Sequence, residues 1–170
     1  MTHLDFEFMG VRKTVIDIFR LEHGKVVEHW DVVQDLSGIL TPQQPAHIMD
    51  SGSRNTQLTE NNKSLVHRFF QESSHTRNQL LSKNYIEHTV EVLNEAGRLG
   101  TYFDRAFRKT TKIHRILGEN HLVVVQSEGT KAKKPFVFYD LFKVMENSIV
   151  EHWSVEQEIP DVIPHGNRMI

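Results

Sequence analysis

Two stretches of this 170-residue chain repeat each other at long range. Asp17-Ile18-Phe19-Arg20 and Val27-Glu28-His29-Trp30-Asp31-Val32-Val33-Gln34 return as Asp140-Leu141-Phe142-Lys143 and Val150-Glu151-His152-Trp153-Ser154-Val155-Glu156-Gln157. The offset is 123 residues throughout, as between Asp17 and Asp140, and no gap interrupts it. Both tryptophans of the chain fall among the identical positions. Solenoid repeats have periods of about 20 to 50 residues, whereas this offset is the length of a whole small domain. The chain therefore reads as one complete domain preceded by the tail of another: a partial repeat over 1–50, a polar Gly/Ser-containing linker over 51–60, and the complete domain over 61–170.

In the complete copy, Leu65, Val66, Phe69 and Phe70 share one helical face, which predicts a helix from about Asn61 to Gln71 with Asn61 or Asn62 as its N-cap. Leu80, Leu81, Asn84 and Tyr85 read as a second short helix, and Leu99, Tyr102, Phe103, Ala106 and Phe107 as a third. From Lys109 the pattern turns to strands: Lys109–Leu117, Leu122–Gly129, Phe136–Met145 and Ile149–Gln157, separated by turn-forming residues. Helices followed by a meander predict an α+β fold with the helices on one sheet face. The first copy offers only a hairpin, Thr14–Glu22 and Lys25–Gln34, with apolar residues on both faces. A lone hairpin is marginal in water, so it is expected to pack on the open sheet face of the complete domain or of a neighbouring chain.

The chain holds 20 Lys+Arg against 22 Asp+Glu, a balance without the basic surplus that binding a phosphate backbone uses, so no nucleic-acid partner is expected. Without cysteine there is no disulfide, thiol nucleophile or thiolate metal site. No apolar run approaches the roughly 20 residues of a membrane-spanning helix, and Met1-Thr2-His3-Leu4-Asp5 lacks the features of a signal peptide. A soluble, cytoplasmic protein with no membrane partner is the expectation. The histidines show no ligand spacing, so no metal is expected, and Gly-rich phosphate loops and nucleophile elbows are absent, so no cofactor is either.

The doubled Val-Glu-His-Trp-x-Val-x-Gln, with its upstream Asp-x-Phe-Arg/Lys strand, resembles the SnoaL-like polyketide cyclase family within the nuclear transport factor 2-like superfamily. Tyr85-Ile86-Glu87-His88 looks like the family's Tyr-x-x-His-Asn segment before the third helix. The resemblance implies a cone: three helices over a strongly curved, antiparallel-rich sheet around an apolar cavity, commonly dimerised through sheet faces. It implies cyclases, isomerases and non-enzymatic adaptors alike, since fold does not fix function. Two departures stand out. The Asn-Pro after the histidine is replaced by Thr89-Val90, and the Trp-Asp of the first copy, Trp30-Asp31, becomes Trp153-Ser154 in the complete one.

The resemblance places His88 at the cavity, where an imidazole exchanges protons near neutral pH. Asp140, set between Tyr139 and Leu141, is the candidate general base if burial raises its pKa, and a structural carboxylate if an arginine such as Arg105 or Arg115 pairs with it. Tyr85, Phe103, Phe142, His152 and Trp153 are the candidate substrate-binding wall. Alternation along the last strand puts His152, Ser154 and Glu156 on one face and Glu151, Trp153, Val155 and Gln157 on the other. Two functions stay open: an enzyme performing aldol-cyclase or isomerase-type proton transfer on an apolar carbonyl compound, or a non-catalytic small-ligand-binding or protein-interaction module. The assembly is expected to be a homodimer or a hairpin-capped monomer.

Overall fold

The computed structural model describes residues 1–36, 53–89, 102–103, 108–162 and 169–170. Three strands, β1 (Thr2–Phe8), β2 (Val11–Glu22) and β3 (Lys25–Asp35), form an antiparallel sheet in chain order. Two helices follow, α1 (Thr56–Gln71) and α2 (Ser74–Gln79), and then β4 (Leu81–Glu87), β5 (Arg108–Glu119), β6 (Leu122–Lys131), β7 (Lys134–Met145) and β8 (Ser148–Glu158). The second sheet has the order β4-β8-β7-β6-β5, with β4 parallel to β8 and the other pairs antiparallel. The architecture is α+β, and no helix among the described residues is long and apolar enough to cross a membrane.

Helix α1 starts at Thr56, inside the stretch read as linker, because Asn55 rather than Asn61 or Asn62 caps it: its side chain accepts from the Leu58 N–H at 3.0 Å. Asn62 is instead buried within the helix and donates to the Asn120 carbonyl. The segment Leu80–Tyr85, read as a helix, is strand β4; the short helix lies just before it, at Ser74–Gln79. Tertiary pairing overrides the helical reading, since the Ile149 N–H donates to the Leu80 carbonyl and β4 continues along β8 to Glu87↔His152. Of the third helix, only Tyr102 and Phe103 belong to the described residues.

The five-stranded sheet is strongly curved, as its side chains demonstrate. Arg108 pairs in register with Lys131, and Asp140 with Val125 further along the same strand β6, yet the Arg108 guanidinium bonds the Asp140 carboxylate at 2.6 Å. Two register shifts in β5 supply the bend. At Gly129 the Lys109 carbonyl oxygen would lie 1.9 Å from a Cβ, so no larger residue fits beneath that bend. The concave face is filled by Val66 and Phe69 of α1 against Val123, Val125, Phe142, Val144 and Ile149, with Tyr102 and Phe103 joining them.

The three-stranded sheet shares one register with β6-β7-β8. Every Cα pair in it has a counterpart 123 residues later, from Thr2↔Asp17 and Val125↔Asp140 to Glu22↔Lys25 and Met145↔Ser148. The match includes the register shift, after Arg20 in one sheet and after Lys143 in the other. It includes the two-residue turns as well: Met9-Gly10 and Ala132-Lys133, then His23-Gly24 and Glu146-Asn147, all have positive φ. Such turns suit the twist of antiparallel hairpins. The first unit is thus one strand larger than the hairpin read from sequence.

The two sheets meet through corresponding faces. Ile16, Ile18 and Val32 pack on Val124, Val137, Tyr139, Leu141, Trp153 and Val155, the convex side of the larger sheet. The seam is reciprocal. The Val33 N–H donates to the Gln157 side-chain oxygen at 3.0 Å, and the Glu156 N–H donates to that of Gln34 at 3.2 Å. Val33 and Glu156, like Gln34 and Gln157, are register equivalents, so each half gives the other what it receives, as subunits do across a two-fold axis.

Candidate functional site

Strand alternation decides which side chains meet. On β4, Tyr85 and Glu87 point to the concave side, where β7 sends Asp140 and Phe142 and β8 sends His152 and Ser154. The curl of β5 brings Arg108 over the same spot, between the Phe138 and Phe103 rings, 4.0 and 4.5 Å from their centroids. The result is a chain of polar contacts in an apolar interior. His152 contacts Glu87 through Nδ1 at 3.0 Å and Asp140 through Nε2 at 3.2 Å. Arg108 donates to Asp140 at 2.6 Å and to the Ser154 hydroxyl at 3.2 Å. Glu87 also accepts from the Tyr85 hydroxyl and, at 2.7 Å, from the Thr89 N–H. Arg108, Asp140 and His152 have no solvent exposure.

Burial disfavours every charge here, and the partners reverse it. For Asp140, burial pushes the carboxyl up, but the Arg108 charge and the His152 contact bring it down to about 2. For His152, burial pushes the imidazole down, but Glu87 and Asp140 lift it to about 9. Glu87, pushed up by burial, ends below the usual carboxylate range because His152, Tyr85 and the Thr89 amide all stabilise its anion. Two cations thus balance two anions. An imidazolium that donates from both nitrogens has no lone pair with which to take a proton, and carboxylates this acidic are weak bases. In this arrangement the group holds charge in place, and the proton it has to offer sits on His152.

The candidate residues divide between two faces. Tyr85, Phe103, Phe142, His152 and Asp140 gather on the concave side, with the Phe142 ring 4.7 Å from that of His152. His88 and Trp153 lie on the convex side, stacked on each other at 4.4 Å with the rings 2° apart. His88 contacts Glu151 there at 3.1 Å, and Lys143 holds the same carboxylate. His88 and Asp140 therefore do not share a cavity. A groove of about 340 Å³ lined by Met1, Leu117, Leu122, Val124 and Leu141 also lies on the convex side, away from His152. Arg115, considered as a partner for Asp140, instead bonds Gln126 and lies over the Trp30 ring at 4.1 Å; Arg105 is outside the described residues.

Sequence reading missed Glu87 and Arg108 as site members. Glu87 carries a usable signal, two residues after Tyr85, once the segment is read as a strand. Arg108 carries none, because it belongs to a run with Arg105, Lys109 and Lys112 that looks like solvated surface. Among the described residues no group of three or more His, Asp or Glu side chains is arranged to hold a metal ion.

No protein-family model matches the chain, and no curated protein matches it. Solved structures are similar in part. A candidate ketosteroid isomerase from Kribbella flavida aligns over 62% of this chain and 84% of its own at 13% identity, TM-score 0.47. An NTF-2 like protein of unknown function from Burkholderia xenovorans aligns over 62% and 89%, also at 13% identity and TM-score 0.47. A loop-truncated variant of IdmH aligns over 57% and 90% at 21% identity, TM-score 0.42.

Proposed function

We propose that this chain is a non-catalytic, protein-interacting member of the SnoaL-like group within the nuclear transport factor 2-like superfamily, one complete cone preceded by three strands of a second copy. The observation that carries the reading is the pairing of Asp140 with Arg108, both without solvent exposure, which occupies the carboxylate that the chemistry requires. The position that holds a carboxylate in the first copy, Asp31, is Ser154 here, and its hydroxyl is engaged by the same arginine. A serine with no base beside it does not replace a carboxylate. The built surface of the molecule is the convex sheet face, where a second sheet docks by apolar contacts and reciprocal hydrogen bonds.

A second reading, proton transfer on an apolar carbonyl compound, is favoured by one observation. His152 is a buried cation against aromatic rings, and perturbed groups of this kind concentrate at active sites. Hydrogen–deuterium exchange at the α-carbon of small enolisable ketones, followed by NMR with the protein in D₂O, separates the two. We expect no exchange beyond that of buffer. Exchange that requires the protein and is lost in Asp140→Asn and in His152→Gln establishes the enzyme reading instead.

A further inference from the structure

We propose that the outer edge of β1 is a docking site for an extended, basic strand of another polypeptide, added antiparallel to the three-stranded sheet. This deepens the interaction-module reading by naming the partner's chemistry.

In the larger sheet, the strand equivalent to β1 is β6, and its second edge is covered by β5. Among the described residues nothing pairs with the corresponding edge of β1. The opposite edge of the small sheet is treated differently, since the β3 amide of Val33 is capped by Gln157. Open edges are normally blunted with charged side chains, lysine above all, with proline or with a bulge. β1, Thr-His-Leu-Asp-Phe-Glu-Phe, has no lysine, proline or bulge, its only charges are the acidic Asp5 and Glu7, and its pairing with β2 runs without a shift. Leu4, Phe6 and Phe8 project from one face at 54%, 41% and 56% exposure, an apolar row for an incoming strand to cover.

The charge of the occupant follows from both edges. β1 carries Asp5, which Arg12 of β2 already approaches at 4.0 Å, and the exposed Glu7, and no Lys or Arg. β5, which covers the equivalent edge, is Arg-Lys-Thr-Thr-Lys-Ile-His-Arg-Ile-Leu-Gly-Glu. Through the shared register, Lys112 opposite Glu128 corresponds to a lysine opposite Asp5, and Ile113 opposite Ser127 to an isoleucine opposite Leu4. The incoming strand must run straighter than β5 does. Phe6 stands where Gly129 leaves room for the bend, so a strand bent in that way would collide with its Cβ. Main-chain pairing supplies the affinity and the alternate side chains the selectivity, as in other strand-addition complexes.

The test uses the full chain and a labelled synthetic peptide of the β5 sequence, residues 108–119, with a scrambled peptide of the same composition as control. Fluorescence anisotropy is expected to show saturable binding that weakens with salt. Hydrogen exchange is expected to place new amide protection in β1. The double variant Leu4→Lys/Glu7→Lys alters two exposed side chains and is expected to lower affinity about tenfold or more. Equal binding of the scrambled peptide, no binding up to about 1 mM, or protection in β6 through displacement of the resident strand overturns the proposal. So does concentration-dependent dimerisation through β1 without peptide, which assigns the edge to a second copy. None of these outcomes bears on the α-carbon exchange assay, so the two readings fail separately.

Discussion

Raising the pH should destabilise this protein through one buried histidine. The His152 imidazole titrates at about 9 in the folded chain against 6.5 when free, so the folded state binds the proton more tightly than the unfolded state. The stabilisation is fully present below about pH 6.5 and is lost as pH rises through about 9. The difference corresponds to on the order of 3 kcal/mol, a sizeable part of the 5–15 kcal/mol that typically holds a domain together. Because the ring is fully buried, solvent does not screen the effect. Urea denaturation between pH 6.5 and 9.5 measures it, with the imidazole followed by NMR. The variant Glu87→Gln removes the first partner that lifts the pKa and should move both the titration and the stability loss to lower pH. A stability profile flat from pH 7 to 9.5, or a His152 resonance titrating near 6.5, would refute the argument that two carboxylates hold this ring charged.

Acid probes the other end of the network: Asp140, held at about 2 against 3.8 when free, contributes stability present above about pH 4 and lost as pH falls towards 2, on the order of 2 kcal/mol in an acid-denaturation series. Arg108→Met strands a buried carboxylate and should cost about 3–5 kcal/mol by denaturant titration, whereas Arg108→Met with Asp140→Leu should cost clearly less, since removing both charges leaves neither uncompensated. Gln34→Ala and Gln157→Ala should each cost about 1 kcal/mol and by similar amounts, because they remove equivalent bonds of the seam; strongly unequal losses in thermal melts would contradict the reciprocity. Ala132→Asn with Lys133→Gly places the favoured pair in a turn whose two central residues have φ of 49° and 68°, and should raise the melting temperature.

Strands β2, β3 and β5–β8 are legible from alternation and turn residues, and the offset fixes the correspondence of β2 with β7 and of β3 with β8. β1 is not, because Thr2–Phe8 matches residues 125–131 in register and hardly at all in residue type; register belongs to the backbone ladder, which tolerates any side chain that suits its face. β4 is not either, because Leu80, Leu81, Asn84 and Tyr85 fall at helical spacing, and only the long-range pairing with β8 overrules them. The site was half legible. Asp140 and His152 sit on strands whose alternation is clear, but Arg108 arrives through sheet curvature, a property of bulges that no local pattern announces. His88 and Trp153 fall on the convex side because β4 and β8 both place them one residue out of phase with the concave set.

The seam between the sheets also has a kinetic and evolutionary consequence. Both halves belong to one chain, so their association is unimolecular: melting through this interface should not depend on protein concentration, and dilution cannot separate them as it would a dimer. A substitution in a symmetric dimer is imposed twice, whereas here it is imposed once. Trp30 lies under Arg115 while the residue at the equivalent register position, Trp153, lies against His88. Covalent linkage lets the two faces of the seam carry different neighbours at equivalent positions.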